Sequence, residues 1–328
     1  MLDVGRRWRS SAPVLVATLA MAAGGTVVAP AGVAAAGALA AVECGVLPAK
    51  APAAGRPVEV EASLGDIGAA ITGTATAQSG EGIDSLVHMG INITVAGRLA
   101  LRAQLATPYG VVGGDQDALL SIGGSPQAKR DEPLCVASFG GDNPESAVLV
   151  GLFTMGAHCC TFIDAYIVAS AGIATPPIEQ QIGNPGVELE TVDGHAVLVT
   201  ADNSFAYAFT AFAFSGMPIR VLELRGKAFV NTTRSYPSLI TPDAASWWKY
   251  FQQAQAPGSQ DPTRGTGALA PWVADECMLG DGAQAWAMVN KLNAEGKLGT
   301  SANTPWPTGT DYVKALSAFL VAHGYCGS

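Results

Sequence analysis

Ser146-Ala147-Val148-Leu149-Val150-Gly151-Leu152-Phe153-Thr154 runs through Met155-Gly156-Ala157-His158-Cys159-Cys160-Thr161 into Phe162-Ile163-Asp164-Ala165-Tyr166-Ile167-Val168-Ala169. Two apolar runs rich in β-branched and aromatic residues flank a short segment carrying Gly, His and a cysteine pair. The composition predicts two strands in succession. Upstream, Leu134 to Phe139 reads as another strand, cut off by Gly140-Gly141-Asp142-Asn143-Pro144, a strong turn signal.

The same texture extends in both directions. Pro57 to Ser63 alternates Val and Glu, and Leu86 to Val95 and Leu99 to Leu105 flank Ala96-Gly97-Arg98, a short hairpin loop. Downstream, His195 to Thr200, Phe205 to Phe214, Pro218 to Leu224 and Ala228 to Thr232 read as strands, the last two joined by Arg225-Gly226-Lys227. In the Phe205 run, period two places Phe205, Tyr207 and Phe209 on one face and Phe212 and Phe214 on the other. Ala147-Val148-Leu149-Val150 recurs as Ala196-Val197-Leu198-Val199, each with an aspartate shortly before it (Asp142, Asp193) and an apolar run after it. A turn-strand-strand unit repeating at about fifty residues suits a propeller-type blade.

Past Thr241 the period changes. Thr241-Pro242-Asp243 predicts a helix start, with Ala244, Trp247, Trp248 and Phe251 at helical spacing. Further helices are expected over Ala268 to Met278, from Asp281 to Ala294, and from Thr310-Asp311 to Gly324. Trp247, Trp248, Trp272 and Trp286 are expected to pack this bundle. The fold class is therefore mainly β with a C-terminal α part. It combines an antiparallel β domain of blade-like repeats, an incomplete propeller-like array, with a small helical bundle.

Arg6, Arg7 and Arg9 open the chain, no charge follows until Glu43, and the intervening apolar stretch ends Ala38-Leu39-Ala40. A positive start, an apolar middle and small residues at −3 and −1 read as a secretory signal peptide. The uncharged run is also long enough to span a bilayer, which leaves an uncleaved N-terminal anchor as the alternative. The expected divisions are a signal peptide over 1–40, a β-rich repeat domain over 41–240 and a helical domain over 241–328. Loss of 1–40 takes three Arg and one Asp from 18 basic and 27 acidic residues, moving the net charge from −9 to −11. With no basic cluster, nucleic acid is excluded as a natural partner, and no stable membrane span is expected once the signal is gone.

Six cysteines remain: Cys44, Cys135, Cys159, Cys160, Cys277 and Cys326. An even count on an exported chain predicts disulfides. The preferred pairing is Cys44–Cys135, Cys159–Cys160 and Cys277–Cys326, with the vicinal pair forming a rigid turn. Metal binding and thiol redox chemistry at His158, Cys159 and Cys160 stay open as alternatives, although adjacent residues point to opposite sides and no second ligand pair is spaced for zinc. Ser204, His195 and Asp202 could be drawn as a triad, but no Gly-x-Ser-x-Gly elbow, Walker loop or His-Glu-x-x-His helix accompanies them. Asp115-Gln116-Asp117 falls short of a calcium ladder.

The segments Phe153-Thr154-Met155-Gly156-Ala157-His158-Cys159-Cys160-Thr161, Ala201-Asp202-Asn203-Ser204-Phe205-Ala206-Tyr207-Ala208-Phe209-Thr210, Phe229-Val230-Asn231-Thr232-Thr233-Arg234-Ser235-Tyr236-Pro237 and Asp243-Ala244-Ala245-Ser246-Trp247-Trp248 carry a resemblance. Over about residues 133–328 the chain resembles a family of uncharacterised exported bacterial proteins grouped with FG-GAP (integrin-α-like) repeat proteins. The resemblance implies an acidic turn before each blade strand. Here Gly141-Asp142-Asn143-Pro144-Glu145 and Val192-Asp193-Gly194 hold fewer carboxylates than an Asp-Gly-Asp-Gly turn. The resulting expectation is a secreted, non-catalytic binding or interaction protein with an unknown extracellular ligand or protein partner and no cofactor. His158, Asp142, Asp193 and Asp202 are the candidate ligand-binding residues. The alternative is an extracytoplasmic enzyme or a thiol-redox or metal-binding protein using His158, Cys159 and Cys160.

Overall fold

The computed structural model describes residues 42–47, 53–75, 86–107, 110–111, 118–119, 132–140, 145–153, 161–170, 172–299 and 305–326. The strands in chain order are β1 (Val42–Gly45), β2 (Pro57–Leu64), β3 (Ile67–Ala75), β4 (Leu86–Val95), β5 (Arg98–Gln104), β6 (Ala106–Thr107), β7 (Gly110–Val111), β8 (Ala118–Leu119) and β9 (Leu134–Phe139). They continue as β10 (Glu145–Phe153), β11 (Thr161–Ala169), β12 (Gly172–Ile173), β13 (Ile178–Gly183), β14 (Glu188–Val192), β15 (His195–Ala201), β16 (Ile219–Arg225) and β17 (Ala228–Asn231). The helices are α1 (Pro237–Ala254), α2 (Thr266–Leu279), α3 (Gly282–Ala294) and α4 (Gly309–Ala322).

A central antiparallel sheet, ordered β1-β9-β10-β11, carries β12 and β13 on β11 and β8 on β10. It is covered on both faces. Val148, Val150, Leu152, Phe162 and Tyr166 turn toward the meander β2-β3-β4-β5 and join Val60, Ile71, Ile91 and Ile93 in one core. Alternate residues Ala137, Phe139, Ala147, Leu149, Ile163 and Ala165 turn the other way, toward the meander β14-β15-β16-β17, and join Leu189, Leu198, Leu222 and Leu224. A sheet buried on both sides needs apolar residues at every position, which is why β10 and β11 lack a polar face. The far face of the last meander, through Val197, Ile219 and Val221, packs on Tyr236 and Ile240 at the start of α1. The order of layers is thus sheet, sheet, sheet, helices.

The two Ala-Val-Leu-Val runs lie on β10 and β15, each a central strand of its own sheet. Their Ala and Leu residues share one core, while their Val residues point away from it on opposite sides. Among the described residues the three sheets stack without closing a ring. Where the sequence predicted the Ala96-Gly97 loop, β4 and β5 meet in a two-residue turn with φ of 49° and 74°. Positive φ at both central residues is what a tight, right-twisting hairpin requires.

Phe205 to Phe214 is not a strand. It forms two single 3-10 turns, Asn203–Phe205 and Phe212–Phe214, laid across the helices. Its aromatics are drawn to the helical core, where Phe205 meets Phe319 at 4.8 Å and Tyr325 at 5.4 Å, and Phe209 meets Tyr312 at 5.4 Å. Two glycines allow this approach: the Gly216 N–H donates to Gly267 O, and a Cβ on Gly267 would lie 2.4 Å from Phe214 O. The first helix starts at Pro237 instead of Thr241, because Pro237 supplies the first turn and Pro242 sits one turn inside. Likewise α2 starts at Thr266, so Pro271 lies within it. Asp261 ties the preceding loop, its Oδ1 accepting from Thr263 N and Oγ1 and its Oδ2 from Gly265 N.

Candidate functional site

His158, Cys159, Cys160 and Asp142 lie outside the described residues, as does Asp115-Gln116-Asp117. Asp193 occupies the β14–β15 turn, exposed and with φ 51°. Asp202 follows the opposite end of β15, roughly 20 Å away at ~3.3 Å per residue. The strand therefore holds Asp193 and Asp202 apart. It also separates His195, at its first residue, from Asp202 and Ser204, so the drawn triad does not assemble. Two expected bridges are present: Cys44–Cys135, opposite each other in the β1–β9 register, and Cys277–Cys326, with Cα atoms 5.2 Å apart.

Asp202 belongs to a polar joint between the last meander and the helices. Its Oδ1 accepts from Ser204 N at 2.9 Å and its Oδ2 from the Tyr325 hydroxyl at 2.7 Å. Burial opposes its charge, but the Tyr325 and Ser204 hydrogen bonds and the nearby Arg220 outweigh it and hold the carboxyl below its usual range. Burial and the Asp202 charge push the Tyr325 hydroxyl strongly up.

Two further carboxyls lie at the same junction. Asp243 of α1 accepts from Ile219 N at 2.9 Å, completing the start of β16, and from Trp247 Nε1 at 3.1 Å. Burial raises its pKa to about 6. Asp275 of α2 has no solvent exposure, and no N–H reaches either of its oxygens among the described residues. It faces Asp243. Two carboxylates could only repel, whereas a proton on Asp275 makes the contact an O–H···O⁻ bond. Burial first, then the Asp243 charge, pushes Asp275 well above the ordinary range. Protonation of one of the two relieves the repulsion between α1 and α2. The pair's burial denies a substrate access to either oxygen, which makes it a fastening and not a catalytic dyad.

Arg234 fastens the same region from outside, donating to Cys277 O at 3.2 Å, Gly324 O at 3.1 Å and Tyr325 O. Those carbonyls belong to the end of α2 and the segment after α4, the two elements joined by Cys277–Cys326.

On the helical cap, α1, α2 and α3 leave an open groove of about 580 Å³. Thr241, Ala244, Ala245 and Trp248 line it from α1, and Trp272, Glu276 and Leu279 from α2. Asp281 and Met288 complete the wall. The Trp248 and Trp272 ring centroids are 4.6 Å apart at 41°, and Trp248 stacks on Phe251 from within. Glu276 stands beside Trp272 in this wall, its carboxyl pushed up by burial and by the charge of Asp281. Sequence reasoning assigned these tryptophans to core packing. The structure agrees, packing all four bundle tryptophans on the helical core, and it also leaves Trp248 and Trp272 half-buried at a concave surface.

A disulfide-stapled stack of three antiparallel sheets closed by a four-helix cap, with an aromatic groove on the cap, is the class that fold and site define. A protein-family model described as the sll0997 C-terminal domain matches residues 240–324, the stretch that carries the four helices. The chain is 27% identical over 199 residues to the "Probable thylakoid lumen protein sll0997" of Synechocystis sp. (strain ATCC 27184 / PCC 6803 / Kazusa), covering 56% of this chain and 58% of that protein. It is 28% identical over 139 residues to the "Uncharacterized protein y4bJ" of Sinorhizobium fredii (strain NBRC 101917 / NGR234), covering 41% of this chain and 21% of that protein. The chain thus spans less than two thirds of either relative. No solved structure matches it. Among the described residues no helix is long and apolar enough to cross a membrane.

Proposed function

We propose that this chain is an exported, non-catalytic binding protein whose ligand occupies the groove between α1, α2 and α3. The observation that carries the reading is the placement of Trp248 and Trp272. Two large aromatic rings sit half-buried at a concave surface with hydrogen-bonding and charged groups beside them, the usual make-up of a small-molecule site. Export is supported by the signal-like residues 1–40, by the two cystines and by the likeness to a protein named for a lumen.

On this reading residues 41–240 form the scaffold domain and 241–328 the binding domain. The β10 and β15 repeats are two blade-like units. Fluorine NMR of protein labelled with 5-fluorotryptophan tests the groove, because the chain has only six tryptophans to assign. A fragment screen is expected to give hits that move the Trp248 and Trp272 resonances together and are lost in Trp248→Ala. Hits confined to other tryptophans, or none, would overturn the assignment. N-terminal sequencing of secreted protein is expected to begin near Ala41, and recovery of the intact chain in membranes would refute cleavage.

A further inference from the structure

Building on the groove reading, we propose that its ligand is an organic cation with an apolar body, a substituted ammonium, held on Trp248 and Trp272 and neutralised by Glu276 and Asp281. Charge complementarity selects this class. Among the described residues the charged groups lining the groove are Glu276 and Asp281, and no Lys, Arg or His lines it. An anion would meet both carboxylates on a chain of net charge −9. A neutral apolar ligand would strip water from Glu276 and return nothing for its charge. A cation satisfies the carboxylates and is attracted to the indole faces, with tryptophan the strongest of the aromatic partners.

The rest of the wall agrees. Met288 adds a polarizable thioether suited to methyl groups. Trp272 and Glu276 lie one turn apart on α2 and both line the groove, so ring and carboxylate are presented on one face. Burial and Asp281 make ionised Glu276 costly in the free protein, and a bound positive charge relieves both effects.

The test titrates the fluorotryptophan-labelled full chain with choline and, separately, with its neutral isostere 3,3-dimethylbutanol. Choline is expected to shift Trp248 and Trp272 saturably and to bind about tenfold more tightly than the alcohol, within the range of a partly desolvated cation–π contact plus an ion pair. Glu276→Gln is expected to weaken choline about five- to tenfold and leave the alcohol unchanged, while Trp272→Leu abolishes both. Asp281→Asn, at an exposed position, gives a second charge test if Glu276→Gln disturbs folding. Equal binding of choline and the alcohol would overturn the cation and leave the groove standing as an apolar site. No shift at either tryptophan with either probe would overturn both.

Discussion

The central sheet and the helical cap solve burial in opposite ways. β10 and β11 bury nearly every side chain on two apolar faces, with one carboxyl, Asp164, enclosed at mid-strand between Phe162 and Tyr166. The cap buries paired polar groups, Asp243 with Asp275 and Asp202 with Tyr325, and is braced at its surface by Arg234 on three carbonyls. Apolar layers tolerate any neighbour of the right size, whereas polar fastenings fix one arrangement at the cost of desolvation. The scaffold is therefore held by area, and the cap by an apolar core of its own to which fixed polar contacts are added, with the surface groove lying on the cap.

Cutting the bridges gives the largest expected contrast. Cys44–Cys135 closes 91 residues and Cys277–Cys326 closes 49. By loop-closure entropy the first contributes roughly 4–5 kcal/mol and the second about half a kcal/mol less. Paired Cys→Ser variants unfolded in denaturant should show this order, with the first loosening the scaffold and the second the cap. A larger loss from the shorter loop would mean that the cap depends on its bridge beyond chain entropy.

Raising pH should weaken both regions through different acids. Burial, reinforced by Glu179, lifts Asp164 from 3.8 to about 7, and Asp243 rises to about 6. A carboxyl with a raised folded pKa binds its proton more tightly in the folded state. Its stabilisation is complete below about pH 4 and is lost as pH climbs through the folded value. At ~1.4 kcal/mol per pKa unit, the upper bound for Asp164 is about 4 kcal/mol. Amide exchange at pH 5 and pH 8 should show faster opening in both regions at the higher pH. Asp164→Asn should flatten the response in β10 and β11 alone, and Asp275→Asn in α1 and α2 alone. If either variant flattened both, the regions would be one cooperative unit.

Smaller effects sharpen the contrast further. Arg234→Ala should cost the cap about 1.5–3 kcal/mol, the range for hydrogen bonds from a charged donor, with little change in β2–β5 protection. Leu99, 54% exposed on the edge strand β5, should accept Lys with a change below about 0.5 kcal/mol in the unfolding free energy.

The sequence made the scaffold easier to read than the cap's chemistry. Runs such as Leu134 to Phe139 and hairpins such as Ala96-Gly97 carry their structure in local composition, so prediction and fold agree within a residue or two. β3 was not read, since Gly68, Ala69, Ala70 and Gly73 dilute the strand signal of Ile67, Ile71, Thr72 and Thr74. It is a strand because β2 and β4 pair with it on both sides. Phe205 to Phe214 misled in the other direction, its period-two aromatics serving a helical core. Asp243 and Asp275 were invisible as a pair, being 32 residues apart on separate helices. A local hint was Asp275 itself, an acid inside the apolar run Ala268 to Met278. Trp248 and Trp272 were read by type, and only the crossing of α1 and α2 puts them on one groove.

The route of the chain through the central sheet has a consequence for assembly. β1 and β9 lie on either side of the whole β2–β5 meander in sequence, so the edge of β9 stays uncovered until β1 is brought to it from 91 residues away. An open edge beside apolar faces is a template for another chain. In reducing solution, where Cys44 no longer binds Cys135, β1 of one molecule can pair with β9 of a second by reciprocal exchange. The cystine therefore acts as a lock on self-pairing: it records that each molecule has closed on its own strand, and oxidised protein should resist strand-swapped dimers that reduced protein forms on concentration.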